Sequence, residues 1–304
     1  MQVWLDGKFL PAEEARICVL DAAVQHGVGI FETLQARHGH PFALRQHLAL
    51  LRESALTLGL AQRLEVGALG EAIGEAARRN RAPHARIRVT LTGGRRGAPR
   101  VGKPTALPSV LIVAHEVPQF PAAQSTAGIR VLIAESRLPL GDTFGGHKTI
   151  WYWPRLMALQ AAAAAGCAEA LWLDVSGHLA GASTGNVFVV MGGALVTPPA
   201  RGEAEAERHG GTARAVPVRP GVTRAVVMEL AGELGIPVRV EPINIQELLA
   251  AEEVFLTNTG YQLLPVTAIE ATPIAAGSVG SVSRRLQALL EERLVAECPA
   301  GAES

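Results

Sequence analysis

Cysteine is scarce in this sequence. Three cysteines occur in 304 residues: Cys18, Cys167 and Cys298. Their odd number and wide separation match neither a disulfide framework nor the ligand spacing of a zinc site. We therefore expect a protein of a reducing compartment, and we assign no metal ligand.

An excess of charge of one sign is also missing. The 28 basic residues balance the 28 acidic residues, and the isoelectric point is near 7.1. Proteins that hold nucleic acid usually carry a basic surplus. Nucleic acid is therefore excluded as the main partner, and a small-molecule partner is expected.

No apolar run has the length of a membrane-spanning helix. Residues 1–10 lack the basic segment and apolar segment of a secretory signal. The alanine-rich residues 156–170 are interrupted by Gln160, Gly166 and Glu169. We expect a cytoplasmic protein with no membrane partner.

Lysine is nearly absent. Among the 28 basic residues the lysines are Lys8, Lys103 and Lys148, and arginine supplies the rest. An amine can lose its proton and form an imine, whereas a guanidinium stays protonated. A lysine kept in such a sequence is therefore a candidate for covalent chemistry.

Apolar residues are plentiful, at 48%, so the chain can bury a large core. Strand and helix patterns predict a small α/β domain over residues 1–117. Proline and small residues predict a linker over residues 118–128. A larger domain is predicted over residues 129–304.

Local patterns predict the individual elements of both domains. The first domain is predicted to contain a hairpin at Asp6-Gly7, strands over residues 29–36, 85–92 and 109–116, and helices over 44–58 and 66–80. The second is predicted to contain strands over residues 129–135, 169–174, 186–191, 237–240 and 253–257, and helices over 150–165, 223–234 and 282–296.

Lys148 lies where a glycine-containing loop meets an aromatic segment. Gly145-Gly146-His147 precede it, and the sequence TIWYW follows it. Apolar surroundings favour the neutral, nucleophilic amine that a Schiff base needs. The alternative is a surface lysine at a helix end.

Two short polar segments predict an anion site. Residues 221–224, GVTR, have the form of a loop that opens a helix, and such a helix start binds phosphate readily. Residues 257–260, TNTG, follow an apolar strand. Each pattern alone also fits an ordinary cap or turn. Together with an imine-forming lysine, they suggest a phosphorylated aldehyde cofactor.

Six segments resemble, in order, the blocks of the fold-type IV pyridoxal-phosphate enzymes, the family of branched-chain and D-amino-acid aminotransferases and 4-amino-4-deoxychorismate lyase. They are HGVGIFETL, PFALRQHLALLRESALTLGL, HKTIWYWPRLMA, EALWLDVSGHLAGASTGNVFVVMGGALVTPP, RPGVTRAVVMELAGELGI and EEVFLTNTGYQLLPV. The resemblance covers nearly the whole chain. It implies a two-domain fold, a small α/β domain followed by a larger β-rich pseudo-barrel domain, in a homodimer with active sites near the interface.

The resemblance also implies roles for single residues, with pyridoxal 5'-phosphate as the cofactor. Lys148 falls on the Schiff-base lysine. Val222 and Thr223 fall on the helix start that binds the cofactor phosphate. Asn258 and Thr259 fall on the second phosphate loop.

One departure from the family concerns the phosphate. The family has an arginine that grips the phosphate three residues after the histidine matching His47, and here that position is Leu50. Arg52 and Arg45 lie about 200° and about 140° around the helix, so neither shares its face. Losing a hydrogen bond to a charged group costs about 1.5–3 kcal/mol, so weak cofactor binding is expected.

A second departure concerns the cofactor ring. The family places a glutamate, which pairs with the pyridine nitrogen, five residues before the asparagine matching Asn186, and here that position is Gly181. No acidic residue occurs between Asp174 and Glu203. Without the carboxylate, the ring becomes a poorer electron sink, and ordinary transamination should be slow. Glycine at this position also fits a backbone with positive φ.

Few residues of the sequence indicate which substrate is bound. Arg95 and Arg96 resemble the arginine-glycine loop of the lyase members, and either guanidinium suits a carboxylate. A solvated basic turn is the alternative. Asn258 also resembles the lyase branch, and Trp151 either narrows the pocket or belongs to the core.

Three hypotheses follow. The first is a pyridoxal-phosphate aminotransferase that moves an amino group between an amino acid and a 2-oxo acid. The second is a lyase that releases pyruvate from an aminodeoxychorismate-like substrate. The third is a cofactor-poor member of the family with a non-catalytic role.

Overall fold

The computed structural model describes residues 1–80, 82–95, 108–116, 122–203, 208–209, 212–213 and 216–300. The chain divides into two compact units. The first comprises Met1–Gln119, His147–Trp151 and Arg293–Ser304, and the second comprises Phe120–Gly146 and Tyr152–Glu292. The linear boundaries expected from the sequence, at residues 117 and 129, stay a prediction.

In the part of the chain that the structure describes, the first unit contains an antiparallel sheet, three complete helices and the end of a fourth. The strands are β1 Gln2–Leu5, β2 Lys8–Pro11, β3 Gly29–Arg37, β4 His40–Pro41, β5 His84–Thr92 and β6 Val110–Glu116. The helices are α1 Ala22–His26, α2 Leu44–Thr57 and α3 Val66–Arg79. The six strands lie in the order β2-β1-β6-β5-β3-β4.

The core of the first unit lies between this sheet and its two long helices. Leu48, Leu51 and Ala55 of α2 are buried in one apolar cluster with strand residues such as Leu34 and Ile87. Their spacing places them on one face of the helix. The helix predicted over residues 44–58 is therefore confirmed, at Leu44–Thr57.

A larger, curled sheet forms the second unit. The strands are β7 Ile129–Leu138, β8 Glu169–Asp174, β9 Leu179–Ala182, β10 Asn186–Met191, β11 Ala194–Thr197, β12 Arg208–His209, β13 Thr212–Ala213, β14 Val238–Val240, β15 Glu253–Asn258, β16 Gln262–Ile269 and β17 Thr272–Pro273. The helices are α4 Ala122–Ala127, α5 Trp153–Ala164, α6 Val222–Glu233, α7 Ile245–Leu249 and α8 Ser281–Glu297, the last of which continues into the first unit.

Eight of these strands form one path, β14-β11-β10-β15-β16-β7-β8-β9, and β17 pairs with β16. The pairs β14/β11, β16/β7 and β7/β8 are parallel, and the other pairs are antiparallel. The sheet curls into a half-barrel. The expected mixed fold, with a smaller α/β part and a larger β-rich part, is confirmed.

The structure corrects one predicted helix. Helix α5 begins at Trp153 rather than at residue 150, and Pro154 lies in its first turn. Proline suits this position because its missing N–H is one of the unpaired groups of a helix start. In the part of the chain that the structure describes, no helix has the length and apolar character needed to cross a membrane.

Candidate active site

Lys148 lies in a short segment of the first unit that pairs with β3. Phe31 N donates a hydrogen bond to Lys148 O at 2.8 Å, and Ile150 N donates to Gly29 O at 3.0 Å. These bonds fix the backbone on both sides of Lys148. The lysine side chain is half-buried.

The aromatic ring of Phe31 lies close to the Lys148 amine. The ring centroid of Phe31 lies 5.0 Å from Lys148 Nζ and 3.5 Å from the guanidinium carbon of Arg88. Trp151, by contrast, is 68% exposed. The interpretation of Trp151 as a core residue is therefore wrong, because its side chain is exposed.

The residue before Lys148 is anchored to a helix. His147 Nδ1 and Ser54 Oγ are 2.9 Å apart, and Ser54 is buried on α2. This hydrogen bond joins the lysine segment to the same helix that carries Leu50.

Leu50 is half-buried on α2. Arg45 and Arg52 of this helix instead line a groove of about 750 Å³ between α2 and α3, and Leu50 is not among the described residues that line it. The expectation that neither arginine shares the face of Leu50 agrees with this placement.

The two candidate substrate arginines follow β5. Arg95 is exposed, and its backbone forms an isolated bridge with Asp21. Arg96 lies outside the residues that the structure describes. The choice between a carboxylate-binding loop and a solvated turn stays open.

In the second unit, helix α6 begins at Val222 with Gly221 as its N-cap. No side chain caps the helix, and its first backbone bond runs from Ala225 N to Gly221 O. A Cβ atom at position 221 would collide with Asn186 Oδ1. Only glycine fits there, so the N–H groups of the first turn keep no capping side chain.

Arg224 holds the start of α6 in place. Its guanidinium is almost fully buried and pairs with Glu203 at 2.6 and 3.0 Å. It also donates to Pro198 O and Thr197 Oγ1. These hydrogen bonds stabilise the position of the helix start.

The second phosphate loop follows β15. Asn258 Oδ1 accepts hydrogen bonds from Gly260 N and Tyr261 N, and Asn258 Nδ2 donates to Thr184. The Asn258 side chain therefore shapes its own loop. Thr259 is half-buried, and its hydroxyl and amide make no hydrogen bond within the described residues.

The two predicted phosphate segments lie close together. Asn186 of β10 pairs with Thr257 of β15, and its Nδ2 donates to Arg219 O at 2.8 Å, just before Gly221. The Thr257 hydroxyl is buried and has no hydrogen-bond partner among the described residues. Unused donors on both segments suit an anion such as a phosphate.

Gly181 lies on β9, opposite Trp172 of β8. Its φ is +107°, and a Cβ atom there would lie 3.0 Å from Gly185 O. L side chains rarely adopt this backbone conformation. The sequence-based suggestion that this position needs a positive φ is confirmed.

The carboxylate of Glu169 is buried on β8, and sequence reasoning missed it. Oε2 accepts hydrogen bonds from Thr184 N at 3.1 Å and Thr184 Oγ1 at 2.5 Å, and Oε1 accepts from Ala170 N. Burial raises the pKa of Glu169, and these hydrogen bonds oppose the rise. Gly181 pairs with Trp172 of β8 rather than with Glu169, so Glu169 does not take the strand position of a carboxylate at Gly181. A lone glutamate in the apolar stretch EALWL was the signal that could have identified it.

Arg155 of α5 was also missed. Its Nη1 donates to Ala182 O at 2.9 Å and to Ser183 O at 3.3 Å. These carbonyls directly follow Gly181. No sequence signal distinguished Arg155, because arginine supplies almost all of the positive charge of the chain.

Comparisons with known proteins agree with this geometry. The model of the amino-transferase class IV family matches residues 29–269. The chain is 29% identical over 287 residues to a putative branched-chain-amino-acid aminotransferase of Methanocaldococcus jannaschii, covering 94% of each protein. Among solved structures, it is similar to the branched-chain amino acid aminotransferase of Escherichia coli, at TM-score 0.85, 25% identity and coverage of 99% of this chain and 97% of that one. It is also similar to 4-amino-4-deoxychorismate lyase from Pseudomonas aeruginosa, at TM-score 0.79, 28% identity and coverage of 95% and 98%.

Proposed function

The chain belongs to the amino-transferase class IV family, and from that premise we propose that it moves an amino group between an amino acid and a 2-oxo acid. Enzymes of this family depend on pyridoxal 5'-phosphate. The observation that carries the proposal is the uncapped start of α6 beside the unused donors of Thr259, which together make a fitting phosphate site.

Four residues of the second unit form the phosphate site in this proposal. The N–H groups of Val222 and Thr223, with the Thr223 hydroxyl, bind it at the helix start. Asn258 shapes the second loop, and Thr259 donates from it. Arg224 keeps the helix start in place but does not bind the phosphate itself.

Lys148 carries the covalent and proton-transfer chemistry. When bound, pyridoxal phosphate supplies an aldehyde that condenses with amines and a ring that draws electrons from the bonds of the attached amine. Lys148 Nζ would hold the cofactor and would move a proton at the substrate carbon. The backbone bonds to β3 and the His147–Ser54 bond orient the lysine for this role.

Lyase activity is the second candidate function. Asn258 resembles the lyase branch, and the chain is similar to a solved 4-amino-4-deoxychorismate lyase over 95% of its length. A lyase on this scaffold would release pyruvate from an aminodeoxychorismate-like substrate. The altered positions Leu50 and Gly181 also leave a cofactor-poor, non-catalytic member as a third candidate.

Assembly as a homodimer is part of the proposal. Within the first unit, Val19, Leu20 and Val24 are exposed beside α1, as is Trp151. Exposed large apolar side chains in one region are typical of protein interfaces. We expect a dimeric mass in solution, and a strictly monomeric mass at micromolar concentration would contradict this part of the proposal.

The test begins with the absorption spectrum of the purified protein mixed with pyridoxal phosphate. We expect a new band in the violet that Lys148→Arg abolishes, while Lys8→Arg leaves it in place. Single-turnover formation of pyridoxamine phosphate is then followed with L-leucine and with D-alanine, and pyruvate release with aminodeoxychorismate. Turnover of an amino acid supports the aminotransferase, and pyruvate release alone supports the lyase. Absence of a band would leave the cofactor-poor candidate.

A further inference from the structure

The guanidinium of Arg155 lies beside Gly181. Its Nη1 bonds the two carbonyls that follow Gly181, and its central carbon lies 5.7 Å from the ring centroid of Trp172, the cross-strand partner of Gly181. A cation thus stands next to the position at which the family resemblance calls for a carboxylate.

Most of the hydrogen-bonding capacity of Arg155 is unused. Within the described residues, Nε and Nη2 donate to no acceptor, and no carboxylate oxygen lies within 4.0 Å of the guanidinium. Glu169 is near enough to interact electrostatically with Arg155. Its carboxylate oxygens, however, accept hydrogen bonds from Thr184 and Ala170. Unused guanidinium donors are therefore available to a ligand.

The charges around Arg155 are positive on balance. Burial lowers the pKa of Arg155, and nearby Arg219 lowers it further, whereas Tyr152 and Glu169 act in the opposite direction. Glu169 is the carboxylate among these groups, and its oxygens accept hydrogen bonds from Thr184 and Ala170. These four groups come from α5, β8 and the segments before α5 and α6, and they favour a neutral or anionic ligand over a cation.

We propose that Arg155 takes the place of the carboxylate missing at Gly181 and donates a hydrogen bond to the pyridine nitrogen of the bound cofactor, which stays unprotonated. A guanidinium has five donors and no acceptor, so it pairs with the nitrogen lone pair and opposes a pyridinium N–H. This inference rests on the proposed function, because it needs pyridoxal phosphate in the second unit.

An unprotonated nitrogen changes the chemistry that the site supports. The ring then takes up less of the electron pair released when a substrate bond breaks. Arg155 would thus be a catalytic residue that selects against reactions needing a strong electron sink. Slow exchange of common amino acids would follow even with the cofactor fully bound.

The experiment uses pyridoxal phosphate labelled with ¹⁵N in its ring and the full chain. Binding is measured first by equilibrium dialysis. The ¹⁵N resonance of the bound cofactor is then recorded across the pH range in which the protein stays folded. Free pyridoxal phosphate, titrated above and below its ring pKa, gives the two reference positions.

We expect the wild-type resonance at the unprotonated position throughout. Arg155→Met should move it toward the protonated position as the pH falls, whereas Arg155→Lys, which keeps a cationic donor, should not. Arg219→Met is the matched control and should leave the resonance nearer to that of the wild type than Arg155→Met does. If Arg155→Met does not fold, a protonated nitrogen in the wild type or in Arg155→Lys still overturns the role of Arg155.

A protonated nitrogen in the wild type, or an unchanged resonance in folded Arg155→Met, would overturn the role of Arg155. Either result would leave the proposed function standing, since the cofactor is bound. Failure of the wild type to bind pyridoxal phosphate at all would overturn the proposed function, and this inference with it.

Discussion

Glu32 of β3 and His47 of α2 form a buried hydrogen bond, with Oε2 and Nδ1 2.9 Å apart. Both side chains are almost completely buried. The bond fixes α2 against the sheet one turn before Leu50. Leu50 therefore lies on a helix that a buried hydrogen bond holds against the sheet.

Removing one partner of this bond should destabilise the first unit. We expect His47→Phe to lower the free energy of unfolding by about 1–3 kcal/mol, because Glu32 would stay buried without this partner. The double variant Glu32→Leu/His47→Phe should cost less than the sum of the single changes. Urea unfolding measures both, and His40→Phe, at an exposed position, is the control. Strict additivity would show that the pair is not coupled.

Lys148 should be the residue that borohydride labels. Reduction of the protein in the presence of pyridoxal phosphate is expected to fix the cofactor on the peptide that contains Lys148, because its backbone is held and its amine is half-buried beside Phe31. Peptide mass mapping gives the position. Label confined to Lys8 or Lys103 would rule out the assignment.

Arginine at position 50 should tighten cofactor binding if α2 contributes to the phosphate as the family resemblance implies. We expect Leu50→Arg to lower the dissociation constant of pyridoxal phosphate about 10- to 100-fold, the effect of one added charged hydrogen bond. Ala49→Arg, on the exposed neighbouring position, is the control for added charge. Equal effects of the two variants would mean that only net charge matters.

A side chain at position 181 should strain the backbone. We expect Gly181→Ala to lower the free energy of unfolding by about 1–3 kcal/mol, because φ is +107° and the new Cβ would approach Gly185 O. Gly181→Glu should carry the same cost, so it would not restore the carboxylate cleanly. Gly232→Ala, inside α6 with open space around it, should instead leave stability unchanged or raise it. Thermal unfolding of the three variants is the measurement.

Glu169 should make stability depend on pH. Its pKa is raised in the folded state from 4.5, so the folded chain binds more protons than the unfolded chain above that pH. The contribution of Glu169 is therefore full below its unfolded pKa and is lost as the pH rises through its folded pKa. The stability difference between wild type and Glu169→Gln should shift against the wild type over this interval. A difference that is independent of pH would contradict the raised pKa.

Local signals accounted for many of the elements. The Asp6-Gly7 turn, with φ of 47° and 94°, and the limits of α2, α6 and β8 follow from turn residues and apolar periodicity. Strands β9, β11 and β16 went unpredicted, because short or mixed strands owe their pairing to distant partners. The same reason explains the late start of α5, since the residues before it pair with β3.

The residues of the candidate site also fall into two groups, those that the sequence predicted and those that it did not. Lys148, Thr223 and Thr259 were predicted because their neighbours in sequence resemble a family, and their roles stay predictions. Arg155 and Glu169 were missed because their importance depends on what lies across a strand or under a helix. Gly181 was predicted only in part. The sequence indicated that a carboxylate is missing there, but it did not indicate that Arg155 lies beside it.

We expect the glycine at position 221 to make the stability of this chain depend on dissolved anions. Because Asn186 leaves no room for a capping side chain, the N–H groups in the first turn of α6 are available to the acceptor oxygens of an anion. An anion that binds only the folded chain raises the free energy of unfolding by RT ln(1 + [L]/Kd), where [L] is the anion concentration. The melting temperature should therefore rise with the concentration of inorganic phosphate, before any cofactor is added. The measured stability of this chain would then depend on the anions in the buffer.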